Sequence, residues 1–256
     1  MIRSFFASHG APSLALESNR YTQLLTEIGE SFSKAEAIIV FTAHWESEQI
    51  QISSVEGEYE TIYDFGGFQK ELYEMKYRAK GSPKVAESVA KALKEAGFES
   101  SFHYTRGLDH GSWVVLHHLR QEADLPVVQI SVNPYLSVKQ QYEIGKALTK
   151  LNENVVVIGS GASVHNLRML RWGQVEPEPW AMQFDDWLIE KLQAWDLDAL
   201  NEYRELAPYS VNAVPSAEHF MPLFIAMGAG DERKEAKLLH RSYDFGNLSY
   251  LLFEFD

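Results

Sequence analysis

The feature that most constrains the fold of this chain is an alternation. Short runs of β-branched and aromatic residues recur along it, and longer segments with helical spacing separate them. "IRSFFAS" (2–8), "AIIVFTA" (37–43), "PVVQISV" (126–132) and "NVVVIGS" (154–160) read as strands, and their nearly continuous apolar character marks strands covered on both faces. Between and around them, the spacing predicts helices over 17–32, 82–97, 112–122 and 137–151. Strands alternating with helices specify an α/β fold with a mostly parallel central sheet flanked by helices on both faces. Two further helices are expected in "WAMQFDDWLIEKLQAW" (180–195) and "PSAEHFMPLFIAMGAG" (215–230). The last two strand-like segments, "AKLLHRSYDF" and "LSYLLFEF", follow each other closely enough to be antiparallel, which makes the sheet mixed. At 256 residues, the chain suits one domain over 1–256.

Composition narrows the chemistry. A formal net charge of -13 excludes nucleic acid and anionic membranes as natural partners, since both need a basic surface. There is no cysteine, so disulfides, thiolate metal sites, iron–sulfur clusters and thiol nucleophiles are excluded. The opening "MIRSFFASHGAP" lacks the apolar core of a secretory signal, and no stretch reaches the roughly 20 apolar residues of a membrane span. The expectation is a cytoplasmic protein acting on a small molecule; nothing in the sequence indicates oligomeric state. The longest non-periodic stretch, 56–81, has two readings: the wall or lid of a pocket, or a surface excursion packed by its own aromatics.

Three of the nine histidines come after strand-like runs: His9 after "FFAS", His44 after "IIVFTA" and His165 after "VVVIGSGASV". Parallel strands place their carboxyl ends on one edge of a sheet, where open α/β folds bind ligands, so these side chains can converge. Taken singly, His9 also fits a loop cap and His44 a core histidine. His110, in "GLDHGSWVVL", is placed either to move a proton or to cap the next helix. His219 and Glu218 are adjacent near an expected helix start, and neighbours on a helix point about 100° apart, so one of the two is the better ligand candidate. His103, His117, His118 and His240 read as structural or solvent-facing. Separated imidazoles of this kind suit a mononuclear zinc or iron, and two histidines with a carboxylate characterise non-haem Fe(II) oxygenases.

Six segments carry a resemblance that spans almost the whole chain: "SHGAP" with His9, "TAHWE" with His44, "YDFGGF" (63–68), "GLDHGSWVVL" with His110, "GSGASVHNL" with His165 and "PSAEHFMPL" with His219. In this order they resemble the class III extradiol ring-cleavage dioxygenases, and among them the 4,5-DOPA extradiol dioxygenase-like branch. The resemblance implies a metal held by His9, His44 and a third ligand, His219, with Glu218 as the fallback. It implies that His165 is an acid/base beside the metal or a fourth ligand, and that His165 or His110 takes a phenolic proton. The implied partners are a catecholic substrate, DOPA-like, and O₂; the implied cofactor is Fe(II), with Zn(II) expected in purified protein. Trp45, Tyr63, Phe65 and Trp113 are candidates to line an aromatic pocket, or else core residues. Two other classes stay open on sequence: a zinc hydrolase using three histidines and water, and a binding protein that retains the pocket without the activity.

Overall fold

A computed structural model describes residues 3–256. In chain order its strands and α-helices are β1 (Arg3–Ser8), α1 (Arg20–Glu30), β2 (Ala37–Glu46), β3 (Ile50–Ser53), α2 (Lys70–Glu74), α3 (Pro83–Glu95), β4 (Ser100–His103), α4 (His110–Leu119), β5 (Val127–Val132), α5 (Val138–Ala147), β6 (Val155–Gly161), α6 (Pro179–Gln193), α7 (Leu197–Asn201), α8 (Tyr203–Leu206), α9 (Ser210–Ala213), α10 (Met221–Ala229), β7 (Ala236–Asp244) and β8 (Leu248–Phe255). The strands form one eight-stranded sheet in the order β4-β3-β5-β2-β6-β1-β8-β7. Its centre, β5-β2-β6-β1, is parallel, whereas β8 pairs antiparallel with β1, β7 with β8 and β3 with β5. The mixed, mostly parallel α/β architecture expected from the alternation is therefore the one observed.

Strand periodicity sorts the core. Ile38 and Val40 of β2 and Val156 and Ile158 of β6 face the layer formed by α1 and α4. Their sequence neighbours Ala37, Ile39, Val155 and Val157 face the opposite layer, which includes α3, α5 and α10. Successive side chains of a strand point to opposite faces, so a run apolar at every position is covered twice. Helix α10 is buried at every position, which accounts for its being apolar all round.

The differences from the expected elements have local causes. Before α1, Pro12–Leu16 forms a separate 3-10 turn, and α1 starts at Arg20 behind an Asn19 capping box. Helix α4 starts at His110, because the Asp109 side chain caps it by accepting from Ser112 N. The helix expected over 215–230 begins at Met221, with a proline in its first turn. Glu218 and His219 thus lie in the preceding turn, and the helical-wheel argument about them does not apply. β3 and β4 have four residues each and are too short to show a period; α2 and the small helices between 197 and 213 carry no clear sequence signal either. No described helix is long and apolar enough to cross a membrane.

Candidate metal centre

All five histidines singled out from the sequence line one cavity of about 820 Å³ at the carboxyl edge of the parallel strands. His9 directly succeeds β1, and its backbone N–H donates to the Gly161 carbonyl at the end of the neighbouring β6. His44 lies within β2, which runs on past the expected strand end, where the register with β5 shifts between Thr42 and Glu46. An irregularity of this kind re-aims a side chain at a sheet rim. His165 hangs on the loop after β6 and is fixed by its backbone N–H to the Ala213 carbonyl. His219 is tied to the same loop from the other side, since Ala162 N donates to the His219 carbonyl at 2.8 Å.

Two glycines permit this crowding. A Cβ on Gly161 would stand 2.1 Å from the His219 carbonyl oxygen, and one on Gly111 would stand 2.8 Å from both His44 Cδ2 and Thr42 Oγ1. Only a residue without a side chain lets Gly161 approach the His219 backbone and Gly111 approach the His44 and Thr42 side chains.

Two imidazoles bring their Nε2 atoms close to His44 Nε2. His9 Nε2 is 3.1 Å from His44 Nε2, which is 3.2 Å from His219 Nε2. Each ring has its other nitrogen on a different partner: His9 Nδ1 on Ser160 Oγ at 3.0 Å, His44 Nδ1 on Asp64 Oδ2 at 3.3 Å, and His219 Nδ1 on Glu218 Oε1 at 2.9 Å. The Ser160 hydroxyl donates to the Gly111 carbonyl, so toward His9 it accepts. Carboxylates also accept, so the His9 and His219 rings carry their proton on Nδ1, and Asp64 beside His44 Nδ1 favours the same tautomer there, which turns the Nε2 lone pairs toward the shared point. Three lone pairs at this separation repel one another unless a cation lies between them. Metal–nitrogen bonds of about 2.0–2.1 Å place neighbouring nitrogens roughly 3.0–3.4 Å apart, so the residues present fit a mononuclear metal.

The electrostatics agree. Burial, and then the neighbouring imidazoles, push His9 well below the ordinary histidine value. His44 is pushed down in the same way by burial, His110 and His219, against a smaller opposing pull from Asp64. Burial and His219 lower His165 to about 3. Neutral imidazoles are the metal-binding form. Burial alone would raise the carboxyls of Asp64 and Glu218, yet their histidine partners outweigh it and hold both at about 2.

His110 borders this point within ligand distance of His9 and His44, and His165 within ligand distance of His219. His110 Nδ1 lies 2.9 Å from Asp64 Oδ1, which also accepts the His110 backbone N–H at 2.9 Å, leaving Nε2 as the free ring nitrogen. His110 thus has the arrangement expected of a proton carrier, while the cap of α4 is made by Asp109. His165 stacks flat on His219, with ring centroids 3.5 Å apart. Ligand atoms of His165, Glu218 and His219 lie within 4.8 Å of one another, and so do those of His9, His44 and His110. Glu218, the fallback ligand, stands behind His219 and orients it.

The aromatic candidates divide. Phe65 lines the cavity, but Trp45, Tyr63 and Trp113 do not. Trp45 is next to His44 on an extended strand and so takes the other side, where the Arg106 guanidinium lies 4.6 Å over its ring. Trp113 is buried in α4 and donates to the Ile62 carbonyl at 3.0 Å; Tyr63 hydrogen-bonds the Met75 carbonyl at 2.6 Å and supports Phe65 from behind. Within 56–81, residues 64–69 form cavity wall and the aromatics around them pack on one another, so both readings of that stretch hold in part. The residue missed by sequence reasoning is Asp64, which touches both His44 and His110; "YDFGGF" contains it without any periodic signal. His103, His117, His118 and His240 lie away from the cavity lining, and His118 and His240 are engaged by the Leu14 carbonyl and Ser242 Oγ, each at 2.8 Å.

Known proteins share this architecture. The family profile described as the catalytic LigB subunit of aromatic ring-opening dioxygenase matches residues 7–253. A 4,5-DOPA dioxygenase extradiol of Beta vulgaris is 40% identical over 257 residues, covering 98% of this chain and 96% of the relative. The protein of the same name in Escherichia coli K12 is 33% identical, covering 97% and 92%. The crystal structure of an uncharacterized Escherichia coli K12 protein superposes with a TM-score of 0.82 at 28% identity, covering 100% of both chains.

Proposed function

The chain belongs to the family of catalytic LigB subunits of aromatic ring-opening dioxygenases, and from that premise we propose that His9, His44 and His219 hold the metal at which a catechol ring is opened. The protein is an extradiol ring-cleaving dioxygenase, an oxidoreductase that uses an aromatic substrate and O₂. This sets aside the hydrolase and the inactive binding protein. The observation that carries the ligand assignment is the convergence of three Nε2 lone pairs, with successive separations of 3.1 and 3.2 Å.

Fe(II) is the metal of this reading: His9, His44 and His219 would hold it, and when bound it would supply the Lewis-acid and electron-transfer chemistry that opens the ring with O₂. The rest is the work of this chain. His110 Nε2 accepts a phenolic proton as the catechol docks, and Asp64 on its Nδ1 stabilises the imidazolium that forms. Because Asp64 also contacts His44, proton uptake and ligand orientation share one carboxylate. His165, stacked on His219 and neutral at rest, would act as an acid to an oxygen of the opening ring after taking up a phenolic proton from the substrate. Phe65 and the rest of the 64–69 segment line the site. Each proton-transfer step would contribute on the order of 10²–10⁴-fold.

The substrate is a catechol, DOPA among the compounds to try, since DOPA appears in the names of the relatives. The test is oxygen uptake with a catechol panel on metal-stripped protein reloaded anaerobically with Fe(II), beside a Zn(II)-loaded sample. The expected result is one O₂ per catechol and a yellow ring-opened product in the iron sample alone. Turnover with zinc and none with iron would overturn the metal assignment.

A further inference from the structure

The three histidines of the metal centre are anchored in two different ways. His9 and His219 are fixed through main chain at the end of β6: the His9 N–H donates to the Gly161 carbonyl, and the His219 carbonyl accepts from Ala162 N. His44 lies where the strand ladder lapses. The pairing of β2 with β6 ends at Thr42, and its pairing with β5 resumes only at Glu46. Buried main-chain groups need partners, and over this gap side chains supply them. The His44 N–H donates to Thr42 Oγ1 at 3.2 Å, and the His44 carbonyl accepts from Arg106 Nη2 at 3.2 Å.

The two side chains meet again on one carboxylate. The Thr42 hydroxyl donates to Asp109 Oδ1 at 2.7 Å, which leaves its lone pairs for the His44 N–H. Arg106 Nη2 reaches Asp109 Oδ2 at 3.1 Å, and the guanidinium is steadied by its place over the Trp45 ring. Asp109 is buried and is itself held from the sheet: Gln129 Oε1 on β5 accepts its N–H at 3.4 Å, and Gln129 Nε2 donates to the Gly107 carbonyl at 3.3 Å. A closed circuit therefore runs from the His44 N–H through Thr42, Asp109 and Arg106 back to the His44 carbonyl. The same carboxylate accepts Ser112 N at 3.1 Å and so starts α4, the helix whose first residue is His110.

We infer that Thr42 and Arg106 are positioning residues of the metal centre: they clamp the main chain of His44 onto Asp109 and so fix where its Nε2 stands. The inference rests on His44 being a metal ligand and adds the residues that aim it. Asp64, on Nδ1, sets the turn of the His44 ring, whereas the clamp sets the place from which the ring extends. Ligands must be held to within about 0.5 Å, and partners one step removed from a metal are typically worth roughly 10–100-fold in affinity.

The experiment sets oxygen against shape. Thr42→Val keeps the volume of the side chain and removes its oxygen; Thr42→Ser keeps the oxygen and loses a methyl group. Metal-free wild type and variants, checked for folding by circular dichroism, are titrated with Co(II) against a chelator, and the visible absorption of bound Co(II) reports the geometry of its ligands. Thr42→Val should bind Co(II) roughly 10–100-fold more weakly, with shifted bands, and Thr42→Ser should restore the band positions and most of the affinity. Arg106→Met keeps a stem over Trp45 but removes the donors, and it should weaken binding in the same way. Arg106 is partly exposed, so this variant carries the test if Thr42→Val does not fold. A packing role predicts the opposite order, with Thr42→Ser the worse variant. That order overturns the inference, as does wild-type affinity and spectrum in folded Arg106→Met, or loss of folding in both Thr42→Val and Arg106→Met. If the wild type binds Co(II) no more tightly than His44→Ala does, the metal-ligand reading itself fails and the inference falls with it. If His44→Ala alone loses the metal, that reading stands and only the clamp is refuted.

Discussion

Gly161→Ala is a methyl group placed where the structure has no room for one. The added Cβ would lie 2.1 Å from the His219 carbonyl oxygen, a backbone atom that cannot swing aside as a side-chain end can. Separations below 3.0 Å are essentially never adopted, so β6 and the 218–220 turn must part by at least about 0.9 Å. Both sides are tethered: Ala162 N donates to that same carbonyl at 2.8 Å, and α10 begins directly after the turn. The displacement therefore passes to the His219 ring, whose Nε2 leaves the common point it shares with His44. Ligand sets tolerate about 0.5 Å, and a 1 Å misplacement costs about 10²-fold in rate, so metal affinity and turnover should both fall by one to two orders of magnitude. Overpacking also costs about 1–3 kcal/mol of stability, which the fold should survive. The assay is chelator competition for the metal on protein that circular dichroism shows to be folded. Gly66→Ala serves as the control, because nothing lies within 4 Å of its Cβ position. Unchanged metal affinity in folded Gly161→Ala would refute the claim that this close approach positions His219.

Other perturbations separate the roles of neighbouring groups. Asp64→Asn should weaken metal binding by roughly 10–100-fold through His44, and should lower turnover even at saturating metal because His110 loses its carboxylate. Normal turnover at saturating metal would remove Asp64 from the proton path. His110→Ala and His165→Ala should keep the metal and lose about 10²–10⁴-fold in turnover, measured by oxygen uptake; an empty site in His165→Ala would make that residue a ligand. Adding a metal at 100 times its Kd should stabilise the metal-free protein by about 2.7 kcal/mol, read as a rise in Tm, with no rise in His44→Ala.

Much of this architecture is legible in the sequence because it depends on local periodicity. The four apolar runs correspond to β1, β2, β5 and β6, and His9 and His165 sit just past two of them because parallel strands all deliver their exit loops to one edge of the sheet. His44 is found for the same reason, although it lies inside β2 and at its irregular end. Other elements have no local signature. β3 and β4 are four residues long, and β3 is held by pairing with β4 and β5, which no window of sequence contains. The start of α10 depends on a turn at 215–220 that places Glu218 behind His219 and not beside it. Asp64 acts on residues 20 and 46 positions away, across a segment without period, so its role emerges only from three-dimensional contact. Trp45, Tyr63 and Trp113 follow the second of their two readings: they lie close in sequence to site residues, but strand alternation and core packing carry them behind the cavity.

The account turns on a single metal held by His9, His44 and His219 and required for ring opening. Its most direct test is an anaerobic Fe(II) titration of metal-free wild type and His44→Ala, read as catechol-dependent oxygen uptake. The account predicts that wild-type activity rises to a plateau at one iron per chain and that the variant stays inactive throughout. Activation of His44→Ala along the same curve, or a wild-type plateau only at two irons per chain, would contradict it.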